Sequence, residues 1–303
     1  MLTAMIRIGV DFGGTKIEAA ALDPEGRVLA RVRAPTPGGY EGGLRVVRDL
    51  VARVESEAGG SDATVGVCGP GSASPASGLI RNANSTYLNG HPFQRDLEAA
   101  LARPIRLAND ADCLALSEAA DGAGAGAESV FAAILGTGCG GGLVIRGGLQ
   151  QGRNGFAGEW GHAPLPWPRA EEYPGPLCWC GRRSCLELWI SGTGFANDHG
   201  QGLTGEGVAQ AAAAGDVSAL AALDRYIDRL ARGLAVVCDI LDPDVIVLGG
   251  GMSNVAALYA RLPAAIGAHV FSDVFETPVR PAVHGDSSGV RGAARLWPLA
   301  AGP

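Results

Sequence analysis

The apolar positions of this chain fall into short β-branched runs that end in glycine, alternating with longer stretches at helical spacing. Met5 to Val10 reads as a strand and passes into Asp11-Phe12-Gly13-Gly14-Thr15-Lys16. Apolar residues resume from Ile17 to Leu22 before a turn at Pro24-Glu25-Gly26, so the pattern predicts a hairpin folded at a glycine corner. Leu44, Val47, Leu50, Val51 and Val54 recur three and four residues apart, which predicts an amphipathic helix. Thr64 to Val67 is a short strand ending at Cys68-Gly69-Pro70-Gly71. A further strand near Ile105 to Leu107 delivers Asn109 and Asp110, with a helix expected from about Asp112 onward.

A second cycle of the same kind follows. Val130 to Leu135 is a strand running into the glycine-rich stretch 136–142, and Leu143 to Ile145 is its expected hairpin partner. Residues 160–190 are rich in Pro, Gly and Cys and hold no sustained period. Leu223, Tyr226, Ile227, Leu230, Leu234 and Val237 form another helical stripe, which leads into a strand from Val245 to Leu248 and then Gly249-Gly250-Gly251. Strand, glycine corner, strand thus occurs twice, as a repeat of architecture and not of sequence.

Composition narrows the function classes. The 303 residues are enough for about two domains around sizeable cores. A formal net charge of −7 argues against a nucleic-acid partner. No apolar run reaches the ~20 residues that span a bilayer, and Met1 to Met5 lack the basic and apolar regions of a secretion signal, so a cytoplasmic protein is expected. Of seven cysteines, Cys68, Cys113, Cys139 and Cys238 are scattered in apolar surroundings and are expected as buried thiols, whereas Cys178, Cys180 and Cys185 crowd together.

Glycine corners at strand ends suit phosphate. At the first, Gly13 and Gly14 let backbone amides converge, Thr15 offers a hydroxyl and Lys16 a positive charge. Gly136-Thr137-Gly138 provides a second cradle, and Gly249-Gly250-Gly251 a side-chain-free surface for a purine. The spacing matches neither the dinucleotide fingerprint nor a Walker A loop. Any one corner could serve packing alone; three together favour a nucleotide. Asp11 can equally close its turn or position Mg²⁺, which commonly needs only one or two carboxylates. Asp110 can be read as a helix cap, a role open also to Asn109 and Asp112. Three cysteines in C-x-C-x₄-C spacing, with His162 upstream, have the composition of a tetrahedral zinc site.

These residues carry a resemblance. Asp11 to Lys16, Asn82-Ala83-Asn84-Ser85-Thr86, Ala108-Asn109-Asp110-Ala111, Gly158-Glu159-Trp160-Gly161-His162, the cysteine cluster, Leu241 to Asn254 and His284 to Arg291 together resemble the sugar kinases of the ROK family. Within it, the chain closely resembles bacterial fructokinases of the manno(fructo)kinase type. The resemblance implies an α/β fold of two ribonuclease-H-like domains of the actin and hexokinase type, flanking a cleft. Residues 1–115 with 290–303 would form the smaller one and 116–289 the larger, zinc-bearing one. It implies transfer of the ATP γ-phosphoryl to a hexose, fructose at its 6-hydroxyl being expected, with glucose, mannose and N-acetylhexosamines as alternatives, and it implies a homodimer.

Residue by residue, the resemblance makes Asp110 the base. Asn84, Asn109, Glu159, His162, Glu187 and Gly71 become sugar contacts. Asp11, Gly13, Gly14, Thr15, Lys16, Gly136, Thr137, Gly138, Gly249, Gly250 and Gly251 become the MgATP site, and His162, Cys178, Cys180 and Cys185 the structural zinc ligands. Two departures from the family pattern stand out. Asp112 adds a negative charge beside the base and is expected to raise the pKa of Asp110 or to cap the helix. Arg183-Ser184 occupies the place of a glycine before Cys185. Some relatives are DNA-binding repressors, but the phosphate motif begins at Asp11, leaving no room ahead of it for a helix-turn-helix. A non-catalytic sugar sensor would be expected to have lost Asp110 or the corners.

Overall fold

The computed structural model describes residues 6–60 and 63–298; Met5, expected in the first strand, lies outside them. The fold is α/β, in two compact units. The first comprises residues 1–122, 147–157 and 286–303, and the second residues 123–146 and 158–285.

In the first unit β1 (Arg7–Phe12), β2 (Lys16–Leu22) and β3 (Val28–Pro35) form an antiparallel meander. Helix α1 (Tyr40–Ala58) leads to β4 (Thr64–Cys68). A small hairpin of β5 (Ser72–Ala73) and β6 (Ile80–Arg81) precedes α2 (Phe93–Leu101), β7 (Ile105–Ala108) and α3 (Asp110–Asp121). The sheet order is β3-β2-β1-β4-β7, with β1, β4 and β7 parallel. Register aligns Asp11 with Cys68, and Cys68 with Ala108. The carboxyl ends of three parallel strands therefore lie side by side, the usual place for a ligand in an α/β sheet. One sheet face is covered by the expected stripe of α1, with Val47, Val51 and Val54 buried.

The second unit repeats the pattern. It holds β8 (Ser129–Leu135) and β9 (Cys139–Ile145), while β10 (Gly148–Leu149) falls in the segment assigned to the first unit. There follow α4 (Glu187–Ile190), α5 (Gly192–His199), α6 (Gly205–Ala213), α7 (Val217–Leu241), β11 (Val245–Gly249), α8 (Ala256–Gly267) and β12 (Val279–Pro281). The strands run β9-β8-β11-β12, antiparallel for the first pair and parallel thereafter. The stripe read on α7 is buried as a core ridge that includes Tyr226, Leu230 and Leu234.

One expected loop is a strand. Gly140 to Gly142 pair with Ala132 to Ile134, so the corner shrinks to residues 136–138. A Cβ on Gly141 would come within 2.9 Å of the Gly158 carbonyl and of the Trp160 ring, and Trp160 donates its indole N–H to the Gly140 carbonyl at 2.9 Å. Those glycines let a following loop pack flat on the strand.

The last helix, α9 (Ser288–Ala294), belongs to the first unit and lies almost on the backbone of its sheet. Cβ atoms built on Gly9, Gly66 and Gly292 would fall 1.8 Å from the Val290 carbonyl, 1.9 Å from that of Ala293 and 1.9 Å from that of Cys113. Only glycine permits that approach. No helix among the described residues is long and apolar enough to cross a membrane.

Candidate active site

In the first unit the corner between β1 and β2 is closed by a hydrogen bond from the Gly13 amide to the Lys16 carbonyl at 3.0 Å, and the Thr36 hydroxyl donates to the Gly13 carbonyl at 2.7 Å. Gly14 and Thr15 are exposed at its tip. Asp11 precedes the corner with its carboxylate against Gly289, where a Cβ would come within 2.6 Å of Oδ2. Burial, then the charges of Glu18 and Asp110, push the Asp11 carboxyl up to about 6, against a hydrogen bond from the Cys68 thiol and the charge of Lys16. Asp11 is the carboxylate beside this corner that could hold a divalent cation, which commonly needs only one or two. Glu18 was not singled out in the sequence. Its buried carboxylate, opposite Asp11 in the register, holds Arg31, Arg33 and Lys16, which keeps three cations beside the corner.

Asn109, and neither aspartate, caps α3: its side-chain oxygen accepts the Asp112 amide at 2.7 Å. The helix therefore starts at Asp110, two residues earlier than expected. Asp110 is in the first turn, and its Oδ1 accepts the Ala111 amide at 2.9 Å. Water reaches part of the side chain, yet protein encloses the carboxyl closely enough that desolvation raises its pKa, opposed by backbone hydrogen bonds. The expected effect of Asp112 is not borne out. It is buried, and its charge acts on the Cys113 thiol; burial is what raises Asp110. Asn84 is exposed, its oxygen accepting the Ser85 amide at 2.7 Å. Gly71 has φ +75°, and a Cβ there would strike the Arg81 carbonyl at 2.4 Å, so the β5–β6 hairpin alone demands glycine.

In the second unit the corner at Gly136-Thr137-Gly138 is closed by Gly136 N–H to the Gly138 carbonyl at 3.0 Å. Beside it opens a pocket of about 430 Å³ that brings Gly136, Thr137 and Gly251 together with the first residues of α5 and α6. The two helix starts were not foreseen. Ser191 caps α5 and Thr204 caps α6, and the Gly192 amide donates to the Gly136 carbonyl at 2.7 Å. Gly205 lies so close that a Cβ would meet the Gly192 carbonyl at 2.6 Å. Two positive helix ends thus approach the glycine corner. The caps are visible as Ser-Gly and Thr-Gly, but what they face is not. Within the glycine triplet the roles divide. Gly249 ends β11, and Gly250, at φ +81°, has no room for a Cβ beside Leu135. Gly251 has nothing within 4 Å of that position and lines the pocket.

The ligand atoms of His162, Cys178, Cys180 and Cys185 lie within 4.8 Å of one another, with 3.5 Å between the sulfurs of Cys180 and Cys185 and 3.7 Å between Cys178 Sγ and His162 Nδ1. Sulfurs around one tetrahedral zinc would stand about 3.8 Å apart at Zn–S bonds of about 2.3 Å, so this set fits such an ion with minor adjustment. Nδ1 faces the thiols, which leaves Nε2 on the far side of the ring. Ser184, in the place of a glycine, adopts φ +59°, at a cost of about 1 kcal/mol. Its hydroxyl accepts the Trp189 indole N–H at 3.2 Å in partial return, and no ligand is displaced.

Glu187, two residues beyond Cys185, accepts the Cys139 amide on Oε2 at 3.1 Å and the Trp179 indole N–H on Oε1 at 2.8 Å. A Cβ on Gly138 would lie 2.8 Å from Oε2, so that glycine also makes room for the carboxylate. Glu159 is exposed at the start of the short turn that carries His162.

Known proteins match this chain over nearly its whole length. The model of the ROK family matches residues 7–299. An N-acetyl-D-glucosamine kinase of Pasteurella multocida is 39% identical, covering 96% of this chain and 99% of its own, and one from Haemophilus influenzae is 38% identical over 95% and 98%. The ROK hexokinase of Thermus thermophilus superposes with a TM-score of 0.86 at 33% identity, covering 96% and 97% of the two chains. A ROK family glucokinase from Streptomyces griseus, solved with glucose and AMPPNP, superposes at 0.77 with 28% identity over 96% and 98%. The chain belongs to the ROK family of sugar kinases.

Proposed function

We propose that the chain transfers the γ-phosphoryl group of ATP to the primary hydroxyl of N-acetyl-D-glucosamine, with Asp110 as the base. The observation that carries the reading is the alignment of β1, β4 and β7. It sets Asp11 at the end of β1 and Asp110 just past the end of β7, on either side of β4, with the corner's open amides and three cations beside Asp11. Phosphoryl transfer has a loose transition state, so positioned charge does more than a strong base. A carboxylate whose burial raises its proton affinity can take the hydroxyl proton as the bond to phosphorus forms. Asp11 would hold Mg²⁺ or its waters, and the ion would offset charge on the transferring group. In the second unit, Gly136-Thr137-Gly138 would hold phosphate and the pocket beside Gly251 the nucleoside. Asn84, Asn109, Glu159, His162 Nε2 and Glu187 would meet the sugar hydroxyls, with Gly71 shaping the loop before them. His162, Cys178, Cys180 and Cys185 would hold a zinc ion that shapes the sugar pocket without activating water.

The acceptor is chosen on the relatives, which at 37–39% identity are N-acetyl-D-glucosamine kinases. Fructose, the acceptor expected from the longer sequence runs, is the second reading and finds no support among them. A coupled ADP-release assay across N-acetyl-D-glucosamine, fructose, mannose and glucose separates the two. The highest kcat/KM is expected for N-acetyl-D-glucosamine; a preference for fructose would reinstate the earlier expectation, and no ADP release with any sugar would end the kinase reading.

Two further outcomes follow from the second unit. Gly251→Val introduces a side chain where a Cβ meets nothing, so folding is unaffected while the pocket fills. KM for ATP should rise by about tenfold or more, corresponding to about 1.4 kcal/mol of lost nucleotide binding, with sugar binding by calorimetry unchanged. Elemental analysis should find about one zinc per chain, falling in Cys180→Ala; purified, folded, zinc-free protein would overturn that assignment.

A further inference from the structure

Trp179 sits between two residues of the thiol cluster and is 62% exposed. A large indole left in water at the tip of a loop calls for a reason, and its contacts supply one. The ring meets the His162 imidazole edge-on, with centroids 4.9 Å apart and planes at 84°. Its N–H points the other way, to Oε1 of Glu187 at 2.8 Å. The second oxygen of Glu187 is held by the Cys139 amide at the end of the glycine corner. The loop beneath is tied by the Cys178 amide to the Arg182 carbonyl at 2.7 Å and by the Gly181 amide to the Cys178 carbonyl at 2.9 Å. A carboxylate with one donor on each oxygen cannot rotate about its last bond, and its remaining lone pairs point in set directions.

We propose that Trp179 is a positioning residue for acceptor-sugar binding: its indole N–H locks the Glu187 carboxylate in the orientation that receives a sugar hydroxyl. This rests on the proposed function above, in which Glu187 contacts the sugar. The Cys178–Cys185 loop then does more than close a metal site, because it delivers the donor that orients the carboxylate. With the indole N–H removed, Glu187 keeps only the Cys139 amide and must be ordered by the sugar itself, which weakens sugar binding and leaves the nucleotide pocket untouched.

Trp179→Phe keeps the ring against His162 and deletes the donor. It should raise both KM and the calorimetric Kd for N-acetyl-D-glucosamine about tenfold, the usual scale for a hydrogen bond to a charged group. KM for ATP, kcat and bound zinc should stay at wild-type values. Trp179→His, which restores a ring N–H, should recover part of the loss. In a Glu187→Ala background the further change to Phe should cost under twofold, since the acceptor of the indole N–H is gone.

Wild-type sugar affinity in Trp179→Phe would overturn the proposal, as would a full tenfold loss on top of Glu187→Ala. If Trp179→Phe also loses zinc, the comparison with Trp179→His at equal metal content decides: equal affinities overturn it, and tighter binding by His supports it. Failure of the underlying function is distinguishable, because the wild type would then bind and phosphorylate no hexose.

Discussion

Asp110→Asn is expected to lower kcat by about 10²- to 10⁴-fold, the range lost with a positioned general base, while leaving folding and sugar binding close to wild type. The fold should survive because the helix depends on Asn109 for its cap, and an asparagine oxygen can still accept the Ala111 amide. What disappears is the proton acceptor, together with a negative charge that raises the Asp11 pKa. The pH profile gives a second readout. Burial raises the Asp110 pKa above the ordinary aspartate value of 3.8, and the base works only when deprotonated. In the wild type kcat/KM should therefore fall with decreasing pH through a limb displaced upward from an ordinary carboxylate, and Asp110→Asn should lack that contribution. Single-turnover kinetics with saturating ATP and sugar provide the check; near-wild-type turnover would remove Asp110 from the chemistry.

The parts of this site legible in the sequence are those carried by short-range pattern. The two hairpins could be read because β-branched runs flank glycine corners, and the metal cluster because ligand spacing is a local property. What could not be read depends on tertiary approach. Gly9, Gly66 and Gly292 look like ordinary strand and helix glycines, yet without the first two α9 could not lie on the sheet, and without the third it could not lie against α3. Gly140 to Gly142 look like loop and are strand, and the reason for glycine at 141 is Trp160, about 20 residues on. The helix starts at Gly192 and Gly205 carry visible caps, but nothing local says that both face the corner at Gly136. Asp112 shows the opposite error. Adjacency along the chain suggested an influence on Asp110, whereas desolvation is what raises Asp110.

Glu172→Ala is expected to destabilise the protein by about 3–5 kcal/mol, although the residue touches none of the proposed chemistry. It is 4% exposed and lies between Arg229 and Arg232 of α7, which are 4% and 2% exposed. Arg229 Nε reaches Oε1 at 2.8 Å, Arg232 Nη2 reaches both oxygens at 2.8 and 3.0 Å, and the Arg169 amide donates to Oε2 at 2.9 Å. Arg232 Nη1 also donates to the carbonyls of Pro166 and Trp167, and Asp198 and Asp228 pair with Arg229 and Arg232 in turn, so Glu172 is the most enclosed carboxylate of a network that fastens the segment ahead of the thiol loop to α7. Removing it leaves two guanidinium groups buried with part of their charge uncompensated, and that penalty, more than the lost bonds, sets the magnitude. Glu172→Gln, which can still accept hydrogen bonds, should cost roughly half as much. Burial raises the Glu172 pKa, but the two arginines more than offset it and hold it at about 2, below the ordinary 4.5. A depressed folded-state value contributes stability that is complete above pH 4.5 and is lost as pH falls toward 2. Urea unfolding of wild type and Glu172→Ala at pH 7 and pH 3 tests both statements: the difference between them should be full at the higher pH and smaller at the lower, and a variant as stable as wild type at pH 7 would show that the arginines find other partners.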